Sequence, residues 1–335
     1  GWMSLCAKGD YGVHLDVAGD CGVDNTPCAN LEKRGSWHTD PAQCGLGVTG
    51  ESQIGLTIET GWMSLCVDTD GYPPSDPSSM SGKTLYGYQG WFAAEGDGAD
   101  VGWRHWAPAK PNADNVDFDL WPDLSEYGED ELFETDLNMP GGGKARLFSS
   151  AHPKTVNRHF RWMAETGADG VFAQRFLASL QSPKMLAYRD TVAQNIRNGA
   201  EAHGRVFAIM YDISGASEGT FEQQLKDDWT YLVDSLNLTQ SPSYMRHNGK
   251  PVLAIWGLGF TNRPGSPEQA TAIIDYFRTS APEKYRVHLV GGVPFHWRTS
   301  SQDSKPGFAD VYTKFDTISP WTVGRYNSLS GFDNV

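Results

Sequence analysis

Read for the spacing of its apolar positions, the chain has two unlike parts, and the larger is the more regular. From residue 84 onward, short apolar runs alternate with amphipathic stretches at helical spacing. Strands are expected at residues 85–92, 145–149, 170–176, 206–213, 252–258, 287–293 and, more weakly patterned, 315–321. Val156, Phe160 and Met163 mark a helix over residues 153–166 that Gly167 closes, and residues 185–203 form a second, ended by Gly204. Phe221, Leu225, Trp229, Leu232 and Leu236 share one face of a third over 220–236, for which Thr220 and Gln223 supply a capping box. Ser266 opens a fourth, with Pro267 at its first position and Gln269 completing another box. Apolar strands buried on both faces, each followed by a helix, imply parallel βα units. About seven in succession predict an α/β fold of the (β/α)8 TIM-barrel type short of its last βα unit, with an open doubly wound sheet as the alternative. Residues 93–144 carry no period and form a long loop after the first strand, on the face where barrel sites lie.

The N-terminal part is Gly-, Asp- and Asn-rich and has one alternating stretch, residues 53–58, that reads as a strand. All five cysteines, Cys6, Cys21, Cys28, Cys44 and Cys66, fall within it, so it is expected to be a small disulfide-stapled module. The odd number leaves either one thiol over or a partner lost upstream, and neither a CxxC pair nor zinc-ligand spacing is present. The hexapeptide GWMSLC at residues 1–6 recurs at 61–66, either the start of a second tandem unit or a duplicated segment without functional weight. The Pro/Ser/Gly/Asp-rich residues 68–83 read as a linker. The expected organisation is a cysteine-rich module over 1–67, the linker over 68–83, and a barrel domain over 84–335.

Composition removes whole classes of function. The chain has 335 residues, 39% of them hydrophobic, enough for a sizeable core. Its 41 Asp and Glu against 27 Lys and Arg give a net charge of −14, with no basic cluster to face phosphates, so nucleic acid is not an expected partner. No apolar run approaches the roughly 18 residues of a membrane span, so a membrane is not expected either. No metal or cofactor is expected: His152 and His159 lie seven apart without further ligands, and Gly141-Gly142-Gly143-Lys144 lacks the spacing and Ser/Thr of a phosphate-binding loop. Few charges, 12 Trp and the sequon Asn237-Leu238-Thr239 suit an extracellular glycoprotein; the first residues form no signal peptide, so a secreted chain would be a processed form.

The long loop changes the picture most. Trp91, Trp103, His105, Trp106, Trp121 and Tyr127 are interleaved there with Asp117, Asp119, Asp123, Glu126, Glu129, Glu131 and Glu134. Indole faces stack on sugar rings and carboxylates accept hydrogen bonds from hydroxyls, so a carbohydrate site needs these residue types. The same pattern also arises when tryptophans pack a long loop and acids solubilise its edge. Strand ends add Gln174-Arg175, Tyr211-Asp212, Trp256 and His296-Trp297, and Asp212 is the acid at a well-read strand end. It serves either in catalysis or as an acceptor for the turn that follows. Gly215-Ala216-Ser217-Glu218-Gly219 matches a hydrolase elbow with Ser217 as nucleophile, His296 as base and Asp275 before it, but lies five residues beyond the strand end.

YGYQGWF (residues 86–92), the cluster at 103–106, FDLWPDLSEYGEDEL (118–132), HFRWMAETGADGVFAQRF (159–176) and ISPWTVGRY (318–326) carry a family resemblance. Over about residues 83–326 the chain resembles fungal and bacterial proteins labelled xylosidase/arabinosidase. These are similar to the endo-α-mannosidase/endo-mannanase and α-1,3-glucanase hydrolase families. The resemblance implies a (β/α)8 barrel, a secretory setting and a retaining glycosidase. It also implies a substrate-facing wall of Tyr88, Trp91, Trp121, Tyr127, Arg175, Tyr211, Asp212 and Trp321, to which the strand ends add Trp256 and His296. The endo-mannosidase branch carries its catalytic carboxylates in a Glu-x-x-Glu motif on the last barrel strand. Glu126-x-x-Glu129 and Glu131-x-x-Glu134 have that spacing but lie in the first loop, so the pair is assigned to no residue. The expected function is a secreted glycoside hydrolase acting on polysaccharide or glycan with two carboxylates. The alternatives are a lectin-like protein without turnover and a Ser217 esterase.

Overall fold

The computed structural model describes residues 72–325, together with the backbone of five strands nearer the N-terminus. The chain divides into two compact units, one of residues 1–74 with 202–204, the other of 75–201 with 205–335. In the first unit, β1 (Ser4–Lys8) pairs antiparallel with β2 (Gly12–Asp16). There β5 (Gly61–Asp68) runs antiparallel between β3 (Gly35–His38) and β4 (Glu51–Ile58), so the alternating stretch at 53–58 is a strand as expected. Both GWMSLC copies contribute to strands, β1 and β5. The expected disulfides lie outside the described residues.

The second unit is built on a sheet whose main path joins six parallel strands in sequence order: β6 (Leu85–Tyr88), β9 (Gly170–Phe176), β10 (Val206–Asp212), β12 (Lys250–Trp256), β13 (His288–Val293) and β14 (Thr317–Pro320). The short β11 (Arg246–His247) pairs antiparallel with β12. A doubly wound sheet reverses its strand order at a switch point. This one never reverses, so right-handed crossovers place the helices on one face and leave the other open, as in a half-barrel.

One expected barrel strand is not in this sheet. The run at 145–149 belongs to β8 (Lys144–Phe148), which forms an antiparallel hairpin with β7 (Leu132–Asn138). The parallel path therefore has six strands rather than seven. The glycines before β8 make the hairpin turn. Gly142 and Gly143 have φ of 90° and 81°, where a side chain would be strained, and Met139 exchanges backbone hydrogen bonds with them at 2.9 and 3.0 Å.

The helices follow their apolar spacing. In α1 (Pro153–Glu165), Val156, Phe160, Met163 and Ala164 are buried, and Gly167 closes the end with φ of 77°. A second helix, α2 (Pro183–Ala202), buries Tyr188, Val192 and Ile196, and α3 (Phe221–Asp234) buries Phe221, Leu225, Trp229 and Leu232. Of the two expected capping boxes one forms: at α4 (Pro267–Asp275), Ser266 Oγ accepts from Gln269 N while Gln269 Oε1 accepts from Ser266 N. At α3, Thr220 makes no side-chain cap, and Gln223 donates to Asp227 at 2.7 Å instead. A final short helix, α5 (Ala309–Tyr312), precedes β14. No described helix is long and apolar enough to cross a membrane.

Candidate functional site

Side chains alternate across a strand, so register decides which of the expected residues can meet. In β9, Phe172, Gln174 and Phe176 are partly exposed while Val171, Ala173 and Arg175 are buried. Pairing carries the open face across the sheet: Asp212 lies opposite Phe176 and Trp256, Trp256 opposite Gly292, and Gly292 opposite Ser319. By register Phe176, Asp212, Trp256, Gly292 and Ser319 thus form one row at the carboxyl ends of five adjacent strands, in which Asp212 is 4% exposed and Gly292 is buried beneath Trp256. Binding sites of parallel sheets lie at this end of the strands.

Asp212 stands at the centre of the row. Gln174 donates to its Oδ2 at 2.5 Å and the backbone N–H of Ser214 donates to Oδ1 at 2.7 Å. The second bond is the turn-holding role allowed by the sequence, and the carboxylate keeps lone pairs for further donors. Aromatic surfaces stand on both sides. Towards β9, Trp91 stacks on Phe176 with centroids 5.4 Å apart, and His105 stacks on Trp91 at 4.0 Å with 9° between the planes. Burial and the charge of Arg189 hold the His105 imidazole below its ordinary pKa, so it stays neutral near pH 7. Towards β14, Trp256 meets Trp321 edge-on at 5.3 Å and Phe260 at 4.6 Å, with the Arg263 guanidinium 5.4 Å from its ring. Gly292 is what lets the Trp256 indole lie on the sheet, because a Cβ there would stand 2.3 Å from Trp256 Cδ1.

Three residues of the expected wall lie on the helix-facing side instead. Arg175 is 2% exposed and donates through Nε and Nη2 to Asp228 at 2.7 Å each, and through Nη2 to Asp190 at 2.9 Å. Burial opposes its charge, but these carboxylates outweigh that and raise its pKa. Tyr211 is fully buried and donates to Asp228 at 2.6 Å. The Tyr88 hydroxyl lies 2.8 Å from His159 Nδ1, and Tyr127 bonds Nε2 of the same ring at 2.8 Å. Burial lowers the His159 pKa to about 4, so the ring is neutral and bridges the two tyrosines.

The loop residues divide in the same manner. Trp103 and Trp106 join Ala94, Leu147 and Phe148 in a core of their own, against which Phe92, Phe118 and Tyr127 pack. Some of the acids face α1: Arg158 pairs bidentately with Glu131 at 2.5 and 2.6 Å, Lys154 with Asp130 at 2.7 Å, and Arg161 and Trp162 with Glu126. Trp121 is 42% exposed and leans on Phe118 rather than on the row.

His296 follows β13, where Asp303 holds its Nδ1 at 2.8 Å and its N–H at 3.1 Å. Asp303 also binds Arg325 at 2.5 Å. Its partner is therefore Asp303 and not Asp275. Among the described residues no hydrogen bond joins exposed Ser217 to His296. Asn237 adopts a left-handed φ of 51° before a short turn (Leu238–Gln240), with Thr239 only 8% exposed. Among the described residues no group of three or more His, Cys, Asp or Glu could hold a metal.

The sequence marked Gln174 together with Arg175 at the end of β9, but it marked neither Phe176 nor Gly292 as belonging to the site. Strict two-residue alternation within 170–176 was the signal that separates Gln174 from Arg175.

What the geometry defines is an α/β half-barrel with an aromatic row and a carboxylate at its strand ends. No protein-family model matches the chain, and no curated protein matches it. Solved structures similar to it include two of the GH99 endo-alpha-mannosidase from Bacteroides thetaiotaomicron. The one in complex with bis-tris propane is 13% identical, aligned over 71% of this chain and 58% of its own, with a TM-score of 0.42. The other is 14% identical over 73% and 62%, with a TM-score of 0.41. The chain thus spans less than two thirds of the length of either.

Proposed function

We propose that this chain is the glycan-recognising part of a secreted glycoside hydrolase, binding a polysaccharide or glycan along the row at the strand ends. The observation that carries the reading is the carboxylate of Asp212 between two aromatic surfaces, Trp91 on Phe176 and Trp256 beside Trp321. Sugar rings stack on such surfaces, and a carboxylate between them accepts their hydroxyl hydrogen bonds. Glycoside hydrolysis needs a second carboxyl across the scissile bond.

A second reading, recognition without turnover, is favoured by the hydrogen bonds that occupy both oxygens of Asp212. A panel of aryl α- and β-glycosides and α-linked mannans and glucans separates the two. Turnover lost at least a hundredfold in Asp212→Asn, with binding kept, supports the hydrolase. Binding of a panel member with no turnover supports the second reading, and neither binding nor turnover overturns both. Secretion and an N-linked glycan at Asn237 belong to the same proposal; a mass shift on glycosidase treatment of protein from a secretory host tests the glycan.

A further inference from the structure

The wall of the row beyond Trp256 differs in charge from the rest of the chain. It is made by residues 257–265, which follow β12, and residues 294–305, which follow β13. Phe260 bridges Ser304 antiparallel, the Lys305 N–H donates to the Gly259 carbonyl at 2.7 Å, and the Thr261 N–H donates to that of Asp303 at 3.0 Å. The chain carries a net charge of −14, yet these two segments hold three cations, Arg263, Arg298 and Lys305, against one acid, Asp303. That acid is already bound to His296 and Arg325.

Arg263 is the cation that meets the row. Its guanidinium lies 5.4 Å from the Trp256 ring. A Cβ at Gly257 would stand 3.6 Å from Arg263 Cγ, so the side chain lies against the strand end directly after Trp256. Lys305 Nζ fixes the backbone there by donating to the carbonyls of Arg263 and Gly265 at 2.7 and 2.8 Å. Among the described residues no carboxylate pairs with Arg263. Its Nη1 reaches only the carbonyl of the preceding Asn262, at 3.2 Å, and its Nε has no partner. Asp212, on the neighbouring strand, is held by Gln174 and the Ser214 N–H instead. A guanidinium only donates, and its hydrogen bonds are strongest to an acceptor that is itself charged. A sugar with hydroxyls alone would leave this half-buried charge without a counter-charge. We propose that the glycan is acidic, and that a uronate carboxylate or sulfate ester on the sugar at Trp256 is bound by Arg263. The proposal rests on the reading of the row as a glycan site. Asp212 accepts from neutral hydroxyls and repels an anion, so the two charges together fix which part of the glycan carries the acidic group.

Titration of an α-linked glucan or mannan oligosaccharide in three forms tests it: unmodified, oxidised at its primary hydroxyls to carboxylates, and O-sulfated. At low ionic strength the oxidised or the sulfated form should bind about tenfold more tightly than the unmodified one, and the tighter of the two names the anion. The advantage should shrink as added salt screens the charges. In Arg263→Gln the ratio of acidic to unmodified affinity should fall to about one. No advantage for either acidic form, or an advantage that survives in Arg263→Gln, overturns the proposal and leaves the glycan reading in place. Binding of none of the three overturns both. The comparison of forms is made on the intact protein, so it decides even if Arg263→Gln fails to fold.

Discussion

The loop over 93–144 and the row at the strand ends hold the same residue types and put them to opposite uses. In the loop, Trp106 donates its indole N–H to the Phe148 carbonyl at 2.8 Å and is 3% exposed, while Glu131 is spent on Arg158. In the row, Trp256 remains partly exposed beside Asp212, and Gly292 leaves room for it. The difference is one of placement. The insertion is not held by the parallel sheet, so its aromatics bury one another with Leu147 and Phe148, and Glu126 and Glu131 bind arginines of α1. A strand end is already held by the sheet, so a large side chain there can stay open to a ligand at little cost to stability.

The sharpest break of this contrast lies beneath the row. Asp228→Ala leaves Arg175 and the Tyr211 hydroxyl without their shared partner, and denaturant unfolding should show a loss of about 3–5 kcal/mol. Trp106→Ala should cost about 3–5 kcal/mol by removing a fully packed indole from the loop core, with sugar binding by the folded fraction unchanged.

Acid should weaken the fold through His159. His159 is neutral when folded because burial lowers its pKa to about 4, against an ordinary value near 6.5 when unfolded. The unfolded state therefore binds more protons between these values. The stabilisation is complete above about pH 6.5 and is lost as pH falls through about 4, on the order of 3 kcal/mol in all. Stability curves of His159→Gln should be flatter over that window. Smallest of all, Glu126→Gln removes a half-exposed partner of Arg161 and should change stability by no more than about 0.5 kcal/mol.

Periodicity carried most of the fold. The spacing of Val156, Phe160 and Met163, and of Phe221, Leu225, Trp229 and Leu232, specifies the buried faces of α1 and α3 because each places one stripe against the sheet. Residues 145–149 were legible as a strand but not in their pairing. A short apolar run looks alike in a parallel sheet and in a hairpin, and only the partner at β7 distinguishes them. The site was less legible than the fold. Asp212 and Trp256 stand out as strand-end residues, but Arg175 and Tyr211 look equally suitable until alternation turns them to the helices. Their partners Asp190 and Asp228 lie on α2 and α3, and nothing along the chain marks those two aspartates as buried ion-pair partners.

The measurement that bears most directly on the contrast is titration of an α-linked mannan or glucan oligosaccharide into Trp256→Ala and Trp121→Ala side by side. Trp256 belongs to the row and Trp121 to the loop. If the row is the binding face, Trp256→Ala weakens binding at least tenfold and Trp121→Ala leaves it within about twofold, a gap of roughly 1 kcal/mol or more. Loss of binding in Trp121→Ala with Trp256→Ala unaffected would contradict the account and return the sugar site to the loop.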